Sequence, residues 1–441
     1  MEQRRKNLTQ LFIPICLETL LYMLSGMVDT LMLSSVNDQA VGAVGTANTY
    51  IGIFIIMFSV ISSGMVAVMT QNIGAGRPGV AYQARQLGLA FNAVLGIILS
   101  LILAFGAGTI LAGVGVADAL MQPARTYLQI VGGFCILNAL IPICSSYLRA
   151  FGFSKEPLYA SIIGNVINFC LNAFFLFVLH KGVAGVATAT VISRIINLVI
   201  VVMLGAVLVK AKQHPERESN REVMGQIIRI GLPSACETAI YNVSMTLVIR
   251  FLNQMDAQGL NVTARSYTMQ ITNFSYCVGA ALAQANAIMT GWRIGAKEYD
   301  ACDRGTRKAA IIGVIVAVIL ETMFALCSGW IMQLFSKDPQ MVSLVGKLLA
   351  IDIVLEMGRV TNLVYGQALK TSGDAVFPVV MGACFMILCS VGGTYLFGIR
   401  LGLLAVGAYI GMAGDECVRA VGMYLRWKSG KWKEKGLVKS R

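Results

Sequence analysis

Charged residues are scarce in this chain of 441 residues, since Asp, Glu, Lys and Arg together make up only 13%. A soluble globular domain typically carries about 25% charged residues. Hydrophobic residues make up 56% of the chain, and the mean hydropathy is +0.72. The composition therefore excludes an ordinary soluble protein and predicts an integral membrane protein, in which lipid covers the apolar surface.

The sequence also lacks the motifs of common enzyme and metal sites. It has no Gly-x-x-x-x-Gly-Lys-Ser/Thr phosphate loop, which excludes ATP hydrolysis by this chain as a driving force. It has no His-Glu-x-x-His motif and no nucleophile elbow, and its two histidines, His180 and His214, lie outside the predicted spans. The eleven cysteines are scattered without the paired spacing of a zinc or haem site. We therefore expect neither an enzyme nor a cofactor, with a membrane enzyme acting on lipid as an alternative.

Long apolar runs predict that the chain crosses the membrane about twelve times, because one span with its turn takes about 30 to 40 residues. The runs are longer than the alternating segments of about ten residues that barrel strands would show. The sequence therefore predicts an all-α integral membrane protein with no separate soluble domain. The predicted spans are 9–34, 44–70, 86–112, 125–148, 158–179, 184–209, 224–252, 264–290, 309–334, 342–367, 376–397 and 401–426.

The formal net charge of +13 does not indicate a nucleic-acid partner, because the basic residues form no groove with interleaved aromatic residues. They fall before span one, after each even-numbered span and after the last span. The positive-inside rule then places both termini in the cytoplasm of a multi-pass protein of the cell membrane. These basic positions are Arg4, Arg5, Lys6, Arg77, Arg85, Arg149, Lys155, 210–221, 293–308, Lys370 and 426–441.

Motifs of the first half of the chain recur in the second half at a nearly constant offset. The segment 14–22 recurs 219 residues later as 233–241, and Leu148-Arg149 recurs 221 residues later as Leu369-Lys370. Two copies of six spans enter the membrane in the same direction, which predicts two six-helix lobes related by a pseudo-two-fold axis along the membrane normal. The predicted divisions are an N-terminal lobe over 1–209, a cytoplasmic loop over 210–223, a C-terminal lobe over 224–427 and a basic cytoplasmic tail over 428–441.

Short motifs run along the whole chain in a specific order. They are Pro14 with Glu18, Val28-Asp29-Thr30, Ala40-Val41 with Val44-Gly45, Gln71 with Gly74-Ala75, Leu148-Arg149 with Gly152, Gly373-Asp374 with Pro378, Asp415-Glu416 with Arg419, Arg426-Trp427 and Gly430-Lys431-Trp432. In that order and spacing the chain resembles the multidrug and toxic compound extrusion (MATE) family from end to end. The resemblance implies a two-lobed, V-shaped cation antiporter driven by Na⁺ or H⁺.

Span one places Glu18, Tyr22, Ser25 and Asp29 on one helical face, because they occur at i, i+4, i+7 and i+11. A carboxylate near the bilayer centre costs several kcal/mol unless it faces protein, water or an ion. We therefore expect this face to line an internal cleft. A helix-packing seam, or an interfacial position for Asp29, would explain the same pattern.

Only the first repeat carries the aspartate, because the position equivalent to Asp29 in span seven is Val248. In the resembling family the matching aspartate is implicated in H⁺ or Na⁺ binding, which makes Asp29 the predicted coupling residue. Some family members have a second aspartate where this chain has the neutral Asn172. One carboxylate with amide and hydroxyl oxygens suits either ion. The predicted companions of Asp29 are Asn138, Asn168, Asn172, Thr188 and Thr190.

The second lobe offers a different set of polar residues. Asp352, Glu356 and Arg359 share one face of span ten, and we predict that they form a gating or structural pair rather than a sodium site. The predicted lining of the substrate cleft combines carboxylates, aromatic rings and a methionine, which suit lipophilic cations. Its residues are Glu18, Tyr22, Ser25, Glu237, Tyr241, Tyr267 and Met269.

Taken together, these features predict a monomeric secondary active antiporter that exports small organic cations in exchange for Na⁺ or H⁺. The alternative is a flippase for lipid or lipid-linked oligosaccharide from the same superfamily. A flippase for an anionic lipid-linked sugar would need a cationic cavity, whereas the predicted inward stripes of spans one and seven are acidic.

Overall fold

The computed structural model describes residues 6–34, 38–113, 116, 118–210, 214–256, 259–333 and 335–438, and the regular elements in these ranges are all helical. Arg4 and Arg5 of the predicted N-terminal basic cluster lie outside the described residues, as do the last three residues of the predicted tail. The α-helices are α1 (Leu8–Ser34), α2 (Asp38–Gly74), α3 (Pro78–Gly113), α4 (Asp118–Tyr127), α5 (Ile136–Ala150), α6 (Lys155–Ala173), α7 (Gly182–Leu208), α8 (Asn220–Met255), α9 (Leu260–Gly295), α10 (Tyr299–Leu326), α11 (Ser328–Met332), α12 (Pro339–Ser372), α13 (Val376–Phe385) and α14 (Leu404–Lys428).

The helices follow the order of the twelve predicted spans. In the described part of the chain, seven helical segments are long and apolar enough to cross a membrane, or eight if the bent pair of α4 and α5 counts as one span. The helices α8, α9, α12 and α14 are also long, at 36, 36, 34 and 25 residues, but they are more polar. The all-helical membrane fold predicted from the apolar runs is confirmed.

Several spans contain wider π-helical turns that the hydropathy pattern does not reveal. Span four consists of α4, a π-helix at Leu128–Gly132 and α5, with a bend of 43° between its two halves. The bend falls at the Gly132-Gly133 pair, and glycine pairs and π-turns are common causes of helix kinks. Spans five and eleven extend through further π-helices at Phe174–Val178 and Met386–Val391.

The chain divides into two compact units, Met1–Gly231 and Leu232–Arg441. In the first unit α5 packs against α2, α3 and α7, and in the second α12 packs against α9, α10 and α14. These are equivalent helices of the two sequence repeats, so both units use the same internal arrangement. Each unit encloses its own cluster of buried apolar side chains.

The division falls inside α8 rather than in the polar segment 210–223 that the sequence marks as the inter-lobe loop. The reason is close packing between the start of α8 and α2. A Cβ atom on Gly64 of α2 would overlap the carbonyl oxygen of Ile227, and one on Gly231 would overlap the carbonyl oxygen of Val60. The two glycines let the helix backbones touch, as small residues do in membrane helix pairs.

The turn after α12 is tied to the C-terminal segment. Gly373 ends α12 with a φ of 100°, a left-handed conformation that glycine adopts without steric cost. The neighbouring Asp374 is 1% exposed and accepts hydrogen bonds from Arg426 Nε at 2.7 Å and Lys435 Nζ at 2.9 Å. Trp432 stacks on Trp427 at a centroid distance of 4.1 Å. The described start of the predicted basic tail is therefore packed against the second unit.

Substitution of Gly64 tests the close approach of α2 and α8. We expect Gly64→Ala to destabilise the protein by about 1 to 3 kcal/mol, because the new methyl group forces the two backbones apart. Gly52→Ala on the same helix has nothing within 4 Å of its Cβ and serves as the matched control, with an expected effect between zero and a gain of about 1 kcal/mol. Thermal unfolding of the purified proteins measures both effects, and equal stabilities would contradict the packing.

The Asp374 cluster predicts a pH-dependent contribution to stability. Burial alone would raise the pKa of Asp374, but its hydrogen bonds to Arg426 and Lys435 outweigh burial and lower the pKa below the usual 3.8. The carboxylate therefore stabilises the fold above pH 3.8, and this contribution is lost as the pH falls through the lowered pKa. We expect Asp374→Asn to lower the melting temperature at neutral pH, with a difference from the wild type that shrinks under strongly acidic conditions. A constant difference across that range would contradict the assignment.

Candidate functional site

The glutamates shared by the two repeats each form an ion pair with a basic residue of another helix. Glu18 Oε2 of α1 lies 2.6 Å from Arg149 Nη2 at the end of α5. Glu237 Oε2 of α8 lies 2.6 Å from Lys370 Nζ at the end of α12. The side chains in these pairs are only 11% to 16% exposed. The same contact therefore joins the first and fourth spans of both repeats.

These ion pairs show that the two glutamates are already neutralised by bases of the protein itself. The sequence predicts that both glutamates line the cleft for a cationic substrate. The structure supplies the countercharge from a helix that is distant in sequence. The two basic partners, Arg149 and Lys370, belong to the repeated Leu148-Arg149 and Leu369-Lys370 motifs. The sequence does not indicate which carboxylate each base contacts.

Asp29 lies among amide side chains inside the first unit. Asn172 Nδ2 of α6 donates a hydrogen bond of 2.7 Å to Asp29 Oδ1, and the same nitrogen lies 3.1 Å from Asn168 Oδ1. Asn172 is fully buried, and its Oδ1 has no hydrogen-bond partner in the described structure. Asp29 thus has no ion-pair partner within hydrogen-bonding distance in the described residues, and the amide that bonds it carries one oxygen without a hydrogen-bond partner there.

Arg194 of α7 is the basic group that acts on Asp29 electrostatically. It also acts on Tyr127, at the end of α4, and this tyrosine is 4% exposed. The structure therefore places Arg194 near the predicted coupling residue, an arrangement that one helix alone could not reveal.

The other predicted companions of Asp29 are engaged elsewhere. Thr188 and Thr190 donate their hydroxyl hydrogen bonds to the carbonyl oxygens of Ala184 and Val186 in their own helix. Asn138 lies in the first turn of α5, beside Cys135, and its Nδ2 is buried without a hydrogen-bond partner among the described residues. Of the predicted companions, the structure therefore brings Asn168 and Asn172 together with Asp29.

The remaining residues of the span-one face are more open. Tyr22 is 69% exposed, and Ser25 is half-buried. Both lie on α1 between Glu18 and Asp29, as the helical spacing predicts.

A cavity of about 410 Å³ lies inside the second unit. The predicted residues Glu237, Tyr241, Met269, Asp352 and Arg359 line this cavity. Tyr267 does not line it. Its ring packs against Phe335 at a centroid distance of 5.4 Å, within the apolar cluster of the second unit.

Two arginines and three carboxylates form a buried network beside this cavity. Arg359 bonds Glu356 one turn earlier on α12, and its Nε lies 3.4 Å from Glu416 Oε1. Arg419 bonds Asp415 at 2.9 Å and Glu416 at 2.9 Å. The predicted pairing of Glu356 with Arg359 is confirmed, and the charges of α14 join the same network.

Two buried ionisable residues were missed by the sequence analysis. Glu321 of α10 is 0% exposed, and neither carboxyl oxygen has a hydrogen-bond partner in the described structure. Arg265 of α9 is 7% exposed and lines the cavity of the second unit. The sequence could have identified both, because each is a charged residue within a predicted span or at its first turn, and such residues are rare in membrane helices.

Comparison with a protein-family model connects these features to known proteins. The MatE model matches the chain twice, over residues 14–174 and 233–396. The two matches coincide with the two repeats, and together they cover more than half of the chain.

Relatives and solved structures agree with this match over nearly the full length. The chain is 34% identical to the uncharacterized transporter YisQ of Bacillus subtilis, over 96% of this chain and 94% of that protein. It is 24% identical to the probable multidrug resistance protein NorM of Thermotoga maritima, over 98% of this chain and 94% of that protein. A crystal structure of MATE in the straight conformation aligns with a TM-score of 0.86 at 19% identity, over 96% of this chain and 95% of that chain.

The repeated ion pairs predict a specific loss of stability. We expect Arg149→Ala to cost about 3 kcal/mol, because it leaves the carboxylate of Glu18 without its countercharge in a largely buried position. Arg250→Ala provides a control, since Arg250 is exposed on α8. The charge-reversed double variant with Glu18→Arg and Arg149→Glu should recover part of the loss. Thermal unfolding in detergent measures each step, and a neutral Arg149→Ala would contradict the role of the pair.

Proposed function

The chain belongs to the MatE family of multi-pass membrane transporters, and we propose that it exports small organic cations in exchange for H⁺ or Na⁺ bound at Asp29. Homologues described as probable multidrug resistance proteins support multidrug efflux as the general activity. We further propose that the protein acts as a monomer in the cell membrane with both termini in the cytoplasm, as the distribution of basic loops favours.

The environment of Asp29 is the single observation that carries the proposal. Its Oδ1 accepts from Asn172, and the free Oδ1 of Asn172 and the oxygen of Asn168 lie next to it. A carboxylate held by a neutral amide keeps its charge available to an exchangeable cation. Oxygen ligands of this kind suit Na⁺, and the carboxylate alone suits H⁺.

Competition at one carboxylate supplies a simple exchange mechanism. An organic cation is attracted to ionised Asp29 in a poorly hydrated interior, and it is released when H⁺ or Na⁺ takes the carboxylate. Glu18 and Glu237 contribute less to this attraction, because Arg149 and Lys370 neutralise them. Asp29 therefore carries both the attraction for the cargo and the coupling to the ion.

Transport of ethidium into or out of proteoliposomes tests the proposal. The protein is reconstituted, and either a Na⁺ gradient or a pH gradient is imposed while dye fluorescence is followed. We expect one gradient to drive dye movement, and Asp29→Asn to abolish it, because an amide cannot exchange a cation. The matched control is Asp118→Asn, which changes an exposed aspartate of the same unit and should leave transport unchanged.

The same vesicles distinguish cation export from the alternative function, which is lipid flipping. If neither gradient moves ethidium while a fluorescent lipid changes leaflet, the protein is a flippase and the proposal of cation export is wrong. If Asp29→Asn transports the dye as well as the wild type, export stands but coupling at Asp29 is wrong.

A further inference from the structure

Arg265 is a cation inside the second unit whose charge has no countercharge. Among the residues that the structure describes, no aspartate or glutamate lies within ion-pair distance of its guanidinium group. Its Nε is buried without a hydrogen-bond partner, and its Nη2 reaches only the sulfur of Met245 at 3.8 Å. A thioether is a weak acceptor, so the guanidinium is far from satisfied.

The other basic residues around the same cavity are paired. Arg359 bonds Glu356, Lys370 bonds Glu237 and Arg419 bonds Asp415. The carboxylates Glu237 and Glu416 are therefore already committed to other bases. Asp352 also lines the cavity, but it too lies beyond ion-pair distance of Arg265. None of these carboxylates forms an ion pair with Arg265 in the described structure.

An unpaired guanidinium at 7% exposure is costly, because burial removes its hydration and no strong acceptor among the described residues replaces that hydration. Arginine remains protonated at every physiological pH, so the cost cannot be relieved by loss of a proton. A buried polar group without a partner calls for an explanation, and a bound ligand that completes its hydrogen bonds is one such explanation. The cavity beside Arg265 provides the space for such a ligand.

We propose that the cavity of the second unit binds a small organic carboxylate whose anionic group pairs with Arg265. The planar guanidinium fork matches the two oxygens of a carboxylate. The apolar part of the ligand lies against Met245, Met269 and Tyr409, which line the same cavity, because methionine and aromatic side chains adapt to varied apolar shapes. The volume of about 410 Å³ falls in the range of small-molecule sites.

This inference goes beyond the export of cations proposed at Asp29. It concerns the other unit, a ligand of opposite charge and a binding step that requires no ion gradient. The two proposals therefore fail independently, because equilibrium binding of an anion does not depend on transport of ethidium.

Equilibrium binding of radiolabelled benzoate to the purified full-length protein tests the site. Unlabelled benzoate and the neutral isostere benzamide compete against the label in a buffer of low ionic strength. We expect saturable binding that benzoate displaces and benzamide does not. Arg265→Gln should weaken binding by about tenfold to a hundredfold, because it removes a charge-assisted bidentate contact. Arg265→Lys keeps the charge and should retain part of the affinity.

Arg250→Gln is the control for a general loss of positive charge, because Arg250 lies exposed on α8 and does not line the cavity. It should bind benzoate like the wild type. Size-exclusion chromatography and thermal unfolding establish that each variant is folded, and the competition between benzoate and benzamide in the wild type needs no variant. Equal displacement by the two compounds, no saturable binding by the wild type, or unchanged affinity in folded Arg265→Gln would each overturn the proposal.

Discussion

The low dielectric constant of the membrane interior governs where this chain can place charge. An ionised side chain there needs a countercharge, a strong hydrogen-bond partner or a ligand. Both units meet this requirement in the same way, with Glu18 paired to Arg149 in one and Glu237 paired to Lys370 in the other. The second unit adds a buried network in which Arg359 and Arg419 share Glu416. These contacts join separate helices, so the charges that are costly to bury also fix the helix packing.

Two charged residues that form no ion pair in the described structure are the basis of the functional proposals. Asp29 receives an amide hydrogen bond from Asn172 instead of a salt bridge, which leaves its charge open to an exchangeable ion. In the described part of the chain, the hydrogen-bond partner of Arg265 is a thioether sulfur at 3.8 Å, and this weak contact is the basis of the proposed carboxylate site. Val248 stands where the second repeat would place an aspartate, so the proposed ion site at Asp29 has no counterpart in the second unit. The proposed carboxylate site lies in that second unit.

Local sequence patterns were enough to predict the fold. Apolar runs marked the helices, the repeat of Pro14 to Tyr22 marked the two halves, and the spacing of Glu356 and Arg359 predicted their pairing. Contacts between distant helices were not predictable in the same way. Glu18 and Arg149 are 131 residues apart, and a helical face shows a charge without showing what meets it. The π-turns and the division within α8 depend on how the backbones pack. The hydropathy pattern contains no information about that packing.

Ion release on substrate binding tests the role of Asp29 most directly, because it detects the exchange itself without a membrane gradient. Ethidium is added to the purified protein in weakly buffered detergent solution, while a pH-sensitive dye reports H⁺ and radioactive sodium reports Na⁺. The account predicts that ethidium binding to the wild type releases one of these ions, and that no release accompanies its addition to Asp29→Asn. Equal ion release from both proteins would contradict coupling at Asp29.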